Sequence, residues 1–290
     1  MSDGYELLGR RDLDAASKPK SLFADKRERG VALIIGGSSR FHGAPVLASL
    51  AALRVGAGYA KTFVPRAVVD AVRRLSPNVI VNALGSNSIK FNRELEKEIG
   101  RADAVAVGMG AGNSNAVALC ARKIINSGMK NEKTVVVDAD AIMALKGIRH
   151  SRLNGHVIAT PHDLEFYRVS GRRLSKSLAV RIREAKGLAR SKGIVVVLKG
   201  HNTIVTDGRR IKVCKPRSGA LATMGTGDAL SGIICGYAAQ GATPFEAACA
   251  GVYLHASIGD KLAKKKGMHI IASDVVDAIP LAIKEFDKSY

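Results

Sequence analysis

The chain has 290 residues, 47% of them hydrophobic and only 4% aromatic, and a formal net charge of +20 from 45 Lys and Arg against 25 Asp and Glu. Its four cysteines, Cys120, Cys214, Cys235 and Cys249, lie far apart without a C-x-x-C pair, which argues against a zinc cage and against a disulfide-stapled secreted domain. No apolar run approaches the roughly 20 residues of a membrane span, and no apolar run follows basic residues at the N-terminus, so no signal peptide is expected and the cytoplasm is the expected compartment.

The positive surplus favours polyanions: nucleic acid, anionic lipid or phosphorylated small molecules. The basic residues are scattered, and the small clusters Lys26-Arg27-Arg29, Arg172-Arg173 and Lys264-Lys265-Lys266 read as solvated faces. A nucleic-acid binder concentrates its charge or interleaves it with aromatics. Neither nucleic acid nor membrane is therefore expected as a partner, and phosphorylated small molecules remain.

Residues 1–29 are polar and charged and read as an N-terminal arm, packed on the surface or partly disordered. Val31–Ile35 is a β-branched run ending in Gly36-Gly37-Ser38-Ser39, a strand entering a glycine loop. Gly43–Gly56 reads as a buried Ala- and Leu-rich helix, in which Ala44 and Ala48 allow close approach. Gly58–Val64 is strand, Arg66–Leu75 helix and Val79–Leu84 strand. Ala104–Val107 is the next strand, running into Gly108-Met109-Gly110-Ala111-Gly112, a close-approach loop rather than G-x-G-x-x-G. Asn113 is placed to cap a helix over Ala116–Asn126.

Val135–Val137 delivers Asp138 and Asp140 at a strand's end, where two acids serve either a metal or substrate, or a turn and cap before Ala141–Leu145. Val157–Ala159 leads to Thr160-Pro161-His162-Asp163-Leu164-Glu165. Proline favours an extended Thr160 and a helix start, so His162 and Glu165 fall on a first helical turn at the mouth of a strand, where open α/β sheets bind ligands. Ser175–Lys192 is an amphipathic helix and Ile194–Leu198 a strand running into Lys199-Gly200-His201-Asn202-Thr203. Asp207-Gly208 between two β-rich runs predicts a hairpin. Pro244–Lys266 and Ser273–Lys284 are helices, the second capped by Ser273-Asp274.

Thr223-Met224-Gly225-Thr226-Gly227-Asp228 precedes the apolar helix Ala229–Ala239. A tight glycine loop opening a helix presents unpaired N–H groups and the positive end of the dipole, which suits phosphate. Asp228 there is either the N-cap or a general base. Strands and helices alternate at βαβ spacing, which predicts a single α/β domain from about residue 30 to 290, with a mainly parallel sheet covered by helices on both faces.

The segments at 36–44, 51–58, 107–112, 137–142, 159–165, 197–203, 225–232, 253–260 and 272–276, in this order, resemble the ADP/ATP-dependent (S)-NAD(P)H-hydrate dehydratases of the ribokinase-like superfamily. G-T-G-D points to the superfamily, and T-P-H-x-x-E between D-A-D and K-G-x-N-T to the narrower family. Met224 stands where the family often has glycine, Asp163-Leu164 where it often has Pro-Gly, and Phe41 where tyrosine is common. The epimerase domain fused to some members is not expected here.

The resemblance implies a three-layer α/β/α fold and phosphorylation of the hydroxyl of NAD(P)H hydrate by ADP or ATP, followed by loss of phosphate. It implies Asp228 as catalytic base and the N–H groups of Gly225, Thr226 and Gly227 as the anion hole. It places the nucleotide on Lys199, Gly200, His201, Asn202 and Thr203, and the hydrated dinucleotide on Ala44, Gly110, His162 and Asp228. Mg²⁺ is implied on the phosphates, with Asp140 and Glu165 approaching it through water, and a homotetramer is implied as the assembly. Two rivals stand: a kinase of a small hydroxylated metabolite on the same fold, and a basic nucleic-acid-binding protein without enzyme activity.

Overall fold

The computed structural model describes residues 4–17, 25–112, 114–148 and 153–286. A ten-stranded sheet runs through it. In chain order its first half comprises β1 (Glu6–Leu7), α1 (Arg10–Ala16), β2 (Val31–Ile35), α2 (Ala44–Arg54), β3 (Tyr59–Val64), a 3₁₀ turn (Arg66–Val68) leading into α3 (Val69–Leu75), β4 (Ile80–Ala83), α4 (Arg93–Arg101), β5 (Ala104–Val107) and α5 (Asn115–Lys130). The second half comprises β6 (Thr134–Val137), a 3₁₀ segment (Ala139–Leu145), β7 (Val157–Ala159), α6 (Asp163–Ser170), α7 (Leu178–Lys192), β8 (Val195–Leu198), β9 (Thr203–Thr206), β10 (Ile211–Cys214), α8 (Thr226–Ala239), α9 (Pro244–Lys266) and α10 (Ala272–Lys284).

The strands lie in the order β1-β10-β9-β8-β7-β6-β5-β2-β3-β4. From β4 across to β8 every pairing is parallel, and β9 is antiparallel to both β8 and β10. Period-2 alternation sends each strand's side chains to two faces. Ile34, Ala106, Val136 and Val197 pack with α2, α8, α9 and α10. Ile35, Val107, Val137 and Leu198 pack under α5 and α7. The result is the expected α/β/α sandwich.

Several sequence expectations change in detail. The N-terminal segment is part of the sheet rather than an arm lying on it: Glu6–Leu7 pairs with β10, and Leu13 of α1 is fully buried. Helix α4 was not foreseen, since Leu95 and Ile99 are its only buried residues and the segment reads as polar. Asn113 lies outside the described residues, and Ser114 caps α5 by accepting from the Val117 N–H at 3.2 Å. The N-cap of α10 is Ile271, whose N–H donates to Asp274 at 3.0 Å, so Ser273 takes no part. The helix foreseen after Asp138 and Asp140 is a 3₁₀ segment, Ala139–Leu145.

Helix α2 lies directly on α8. A Cβ built on Gly232 falls 2.1 Å from the Ala48 carbonyl oxygen and 2.7 Å from the Ala48 Cα. Only glycine fits there without parting the two backbones. Gly232→Ala is expected to cost about 1–3 kcal/mol, the usual range for overpacking, read as a lower urea midpoint. An unchanged midpoint would show that the helices separate freely.

Candidate active site

The chain lays β2, β3 and β4 to one side, then returns to place β5 on the other side of β2. Such a reversal opens a crevice at the carboxyl ends of the strands. The loops after β2 and β5 meet there: a Cβ on Gly110 falls 2.4 Å from the Phe41 carbonyl oxygen and 2.9 Å from the Ala44 Cβ. Ala44 and Gly110, 66 residues apart in sequence, are thus neighbours in this crevice. The adjoining strands β6, β7 and β8 deliver Asp138, Thr160-Pro161-His162 and Lys199 to the same edge.

Helix α8 starts at this edge. Its N-cap is Gly225, at φ +92°, a left-handed conformation that glycine takes without strain. Asp228 is therefore the third helical residue, not the cap, and its carboxyl makes no capping bond. That settles one of the two readings of this acid. Thr226 is buried and structural: its hydroxyl donates to the carbonyls of Leu221 (2.7 Å) and Thr223 (2.9 Å), and its N–H turns back to Thr223 at 3.3 Å. The Thr226 N–H is thus already engaged, whereas the other first-turn amides have no intrahelical acceptor. Behind the loop, His255 of α9 places Nε2 2.9 Å from the Thr226 carbonyl oxygen, and burial pushes its pKa down to about 4. It is a neutral imidazole that braces the turn.

The sequence reading named Asp138 and Lys199 separately and did not anticipate that they pair. Asp138, buried at 2% exposure, accepts from the Thr160 hydroxyl (2.6 Å), Lys199 Nζ (2.9 Å) and the Ser231 hydroxyl of α8 (2.8 Å). Burial works against its charge, but Lys199 and the two hydroxyls outweigh it and hold the carboxyl below its ordinary pKa. Burial also works against the Lys199 ammonium, and Asp138 and then Glu165 more than offset it, so its pKa rises. Lys199 Nζ is also 3.8 Å from Glu165 Oε2. This residue, expected to hold nucleotide, carries its charge into the acid cluster. An acid at a strand's end followed by a lysine before glycine was the available signal, but nothing local ties residue 138 to residue 199.

Burial shifts the surrounding groups, and two carboxyls come to titrate near neutrality. Burial raises Asp228 to about 7, with Asp138 adding to the effect and Lys199 opposing it. Burial also lifts Glu165 to about 7, against Lys199. Burial raises Asp140 as well, opposed by a hydrogen bond from the Gly112 N–H. His162 is the N-cap of α6: its Nδ1 accepts from the N–H groups of Leu164 (3.1 Å) and Glu165 (3.3 Å), while Glu165 accepts from the His162 N–H at 2.8 Å. Burial, then Lys199, holds the imidazole below its ordinary pKa, so at pH 7 it is neutral. Nδ1 is an acceptor and Nε2 the donor, 3.3 Å from Glu165 Oε1.

A cavity of about 690 Å³ opens beside this cluster, lined by His162, Lys199, Gly200, His201 and Thr203 on one side and by residues 221–227, Val252, His255 and Ala256 on the other. Asn202 is not among its lining residues. The arrangement puts an amide-rich helix terminus, a carboxyl with a pKa near 7 and a cavity of about 690 Å³ side by side.

Comparison with known proteins agrees with this picture. A family model described as NAD(P)H-hydrate dehydratase matches residues 32–281. The ADP-dependent (S)-NAD(P)H-hydrate dehydratase of Nitrosopumilus maritimus is 33% identical over 266 residues, covering 91% of each chain. The bifunctional NAD(P)H-hydrate repair enzyme of Pyrobaculum aerophilum is 33% identical over 263 residues and 90% of this chain, which spans 52%, about half, of that protein's length. A ribokinase-like superfamily protein from Enterococcus faecalis superimposes with a TM-score of 0.86 at 24% identity over 99% of this chain and 98% of its own. The ADP/ATP-dependent NAD(P)H-hydrate dehydratase of Bacillus subtilis, co-crystallised with ATP/Mg²⁺, gives 0.82 at 25% identity over 98% and 99%. With its ribokinase-like fold and a family match that spans nearly the whole sheet, the chain belongs to the NAD(P)H-hydrate dehydratase family.

Proposed function

We propose that this chain restores NAD(P)H from the S form of its hydrate in a reaction driven by ADP or ATP, with release of phosphate. The observation that carries the reading is Asp228, a carboxylate with pKa about 7 in the first turn of the helix whose N-terminus forms the cradle. The names of the Nitrosopumilus and Bacillus relatives support the substrate.

In the first step the substrate hydroxyl attacks the donor's terminal phosphorus. Asp228 takes the hydroxyl proton, the bond to the nucleotide's leaving oxygen breaks, and the amides of Gly225 and Gly227 hold the charge on the transferring group. In the second, the carbon–oxygen bond breaks with phosphate keeping the electron pair, and a proton leaves the neighbouring ring carbon. AMP, or ADP from ATP, phosphate and NAD(P)H result. Ala44, Gly110 and His162 are assigned to the hydrated dinucleotide, and the Lys199–Thr203 loop to the nucleotide.

Among the described residues no group of three or more His, Cys, Asp or Glu could cage a metal. Mg²⁺ keeps its waters and binds through substrate phosphates and one or two carboxylates, which fits the donors available. Asp140 and Glu165 are its proposed contacts through water, and when bound it would neutralise phosphate charge. No helix among the described residues is long and apolar enough to cross a membrane. A cytoplasmic homotetramer is our working assembly.

The test is recovery of the NADH absorbance band from hydrated NADH with ADP and with ATP. A stable phosphoester product in place of free phosphate would instead identify a kinase of a small hydroxylated metabolite. His162→Ala is expected to raise the KM for hydrate more than that for nucleotide. Equal loss of both would leave His162 as a helix cap alone, a role worth about 1 kcal/mol.

A further inference from the structure

Arg181 is 8% exposed, an unusual burial for a guanidinium, and it lies outside the machinery assigned above. It reaches from the first turn of α7 to two places at once. Nη1 donates to the Asp163 carboxylate at 2.8 Å, at the first residue of α6, the helix that His162 caps. Nη2 donates to the Lys199 carbonyl oxygen at 3.0 Å, at the start of the loop that lines the nucleotide cavity. A Cβ on Gly200 would fall 2.5 Å from Nη2, so a side chain at residue 200 would push the fork from this position. The Lys199 N–H donates in turn to the Pro161 carbonyl at 2.8 Å, and its ammonium reaches Asp138 and Glu165.

The segment that presents His162 and the segment that presents the nucleotide loop are thus joined by one rigid fork and one backbone hydrogen bond. A planar guanidinium fixes both partners in direction as well as distance. Orienting the Lys199–Gly200 peptide also orients the strand end from which the Lys199 ammonium reaches the acid cluster.

We propose that Arg181, held by Asp163, is a positioning residue that couples the dinucleotide and nucleotide subsites, so that filling one sets the backbone of the other. This rests on the functional reading given above. Coupling between two sites is commonly on the order of 5- to 150-fold in affinity. ADP affinity, measured by calorimetry with and without saturating NADPH, is expected to differ about tenfold or more in the wild type. Arg181→Lys keeps the charge but can reach only one of the two acceptors. Asp163→Ala releases the fork from α6 at a side chain that is 59% exposed, where folding is least at risk. In both variants the separate affinities should stay within about threefold while the coupling falls toward onefold, and the thermal midpoint of Asp163→Ala should stay within a few degrees of wild type.

Coupling that survives in Asp163→Ala, or that is absent from the wild type although both ligands bind, overturns the proposal and leaves the catalytic reading standing. Failure of the wild type to bind either ligand overturns the catalytic reading, and the coupling with it.

Discussion

Asp228→Asn is expected to abolish turnover of hydrated NADH while leaving nucleotide affinity nearly intact, and at the same time to stabilise the fold. A positioned general base contributes about 10²–10⁴ in rate, and asparagine has the same shape without the basicity. The wild-type rate should climb with pH through about 7 and then level off, because the carboxylate must be ionised to accept the proton and its pKa stands near 7. The stability effect has the opposite sign. The Asp228 pKa is raised from 3.8 to about 7 in the folded chain, so between those values the folded state binds more protons than the unfolded one. Stability attributable to this group therefore falls as pH rises across that window. Asparagine removes this effect, and the thermal midpoint at pH 8 should rise by a few degrees. A mutant with wild-type rates, or one that melts earlier than wild type at pH 8, would refute the assignment.

Lys199→Met should have the largest effect on stability. It deletes the cation paired with a buried carboxylate at 2.9 Å, and breaking such a pair from one side costs about 3–5 kcal/mol. The urea midpoint should fall accordingly. Lys199 also restrains the pKa of Asp228, so whatever activity remains should need a more alkaline pH. The double variant Asp138→Asn, Lys199→Met removes both charges and should regain much of the lost stability. A double variant no more stable than the single would mean that the two charges are not coupled, and that the acid cluster is balanced by some other group.

The boundaries of β2, β5, β7 and α9 follow directly from the residues, because each is an uninterrupted apolar run or a helix opened by Thr243-Pro244 and closed before Gly267. The hairpin at Asp207-Gly208 is equally legible, and β9 and β10 pair across it. The glycine loop that opens α8 could be read because it depends on residues adjacent in sequence. Helix α4 escaped because a helix with one narrow apolar stripe looks polar when read linearly, and β1 because two residues carry no period.

The role of Asp228 turned on where α8 begins. The N-cap is Gly225, three residues before Asp228, and propensity does not resolve a helix start to within three residues. The ion pair of Asp138 and Lys199 and the fork of Arg181 were not legible at all. Periodicity states which side chains are buried, but a buried charge survives only beside a partner, and the sheet order chooses that partner. Residues 138, 163, 181 and 199 meet because β6, β7 and β8 are neighbours and α7 leans on their carboxyl ends. The local pattern of the chain thus decides its elements and its glycine loop, whereas the shifted pKa values of Asp228 and Glu165 arise from long-range packing, since electrostatic energies depend on distance through space and on burial.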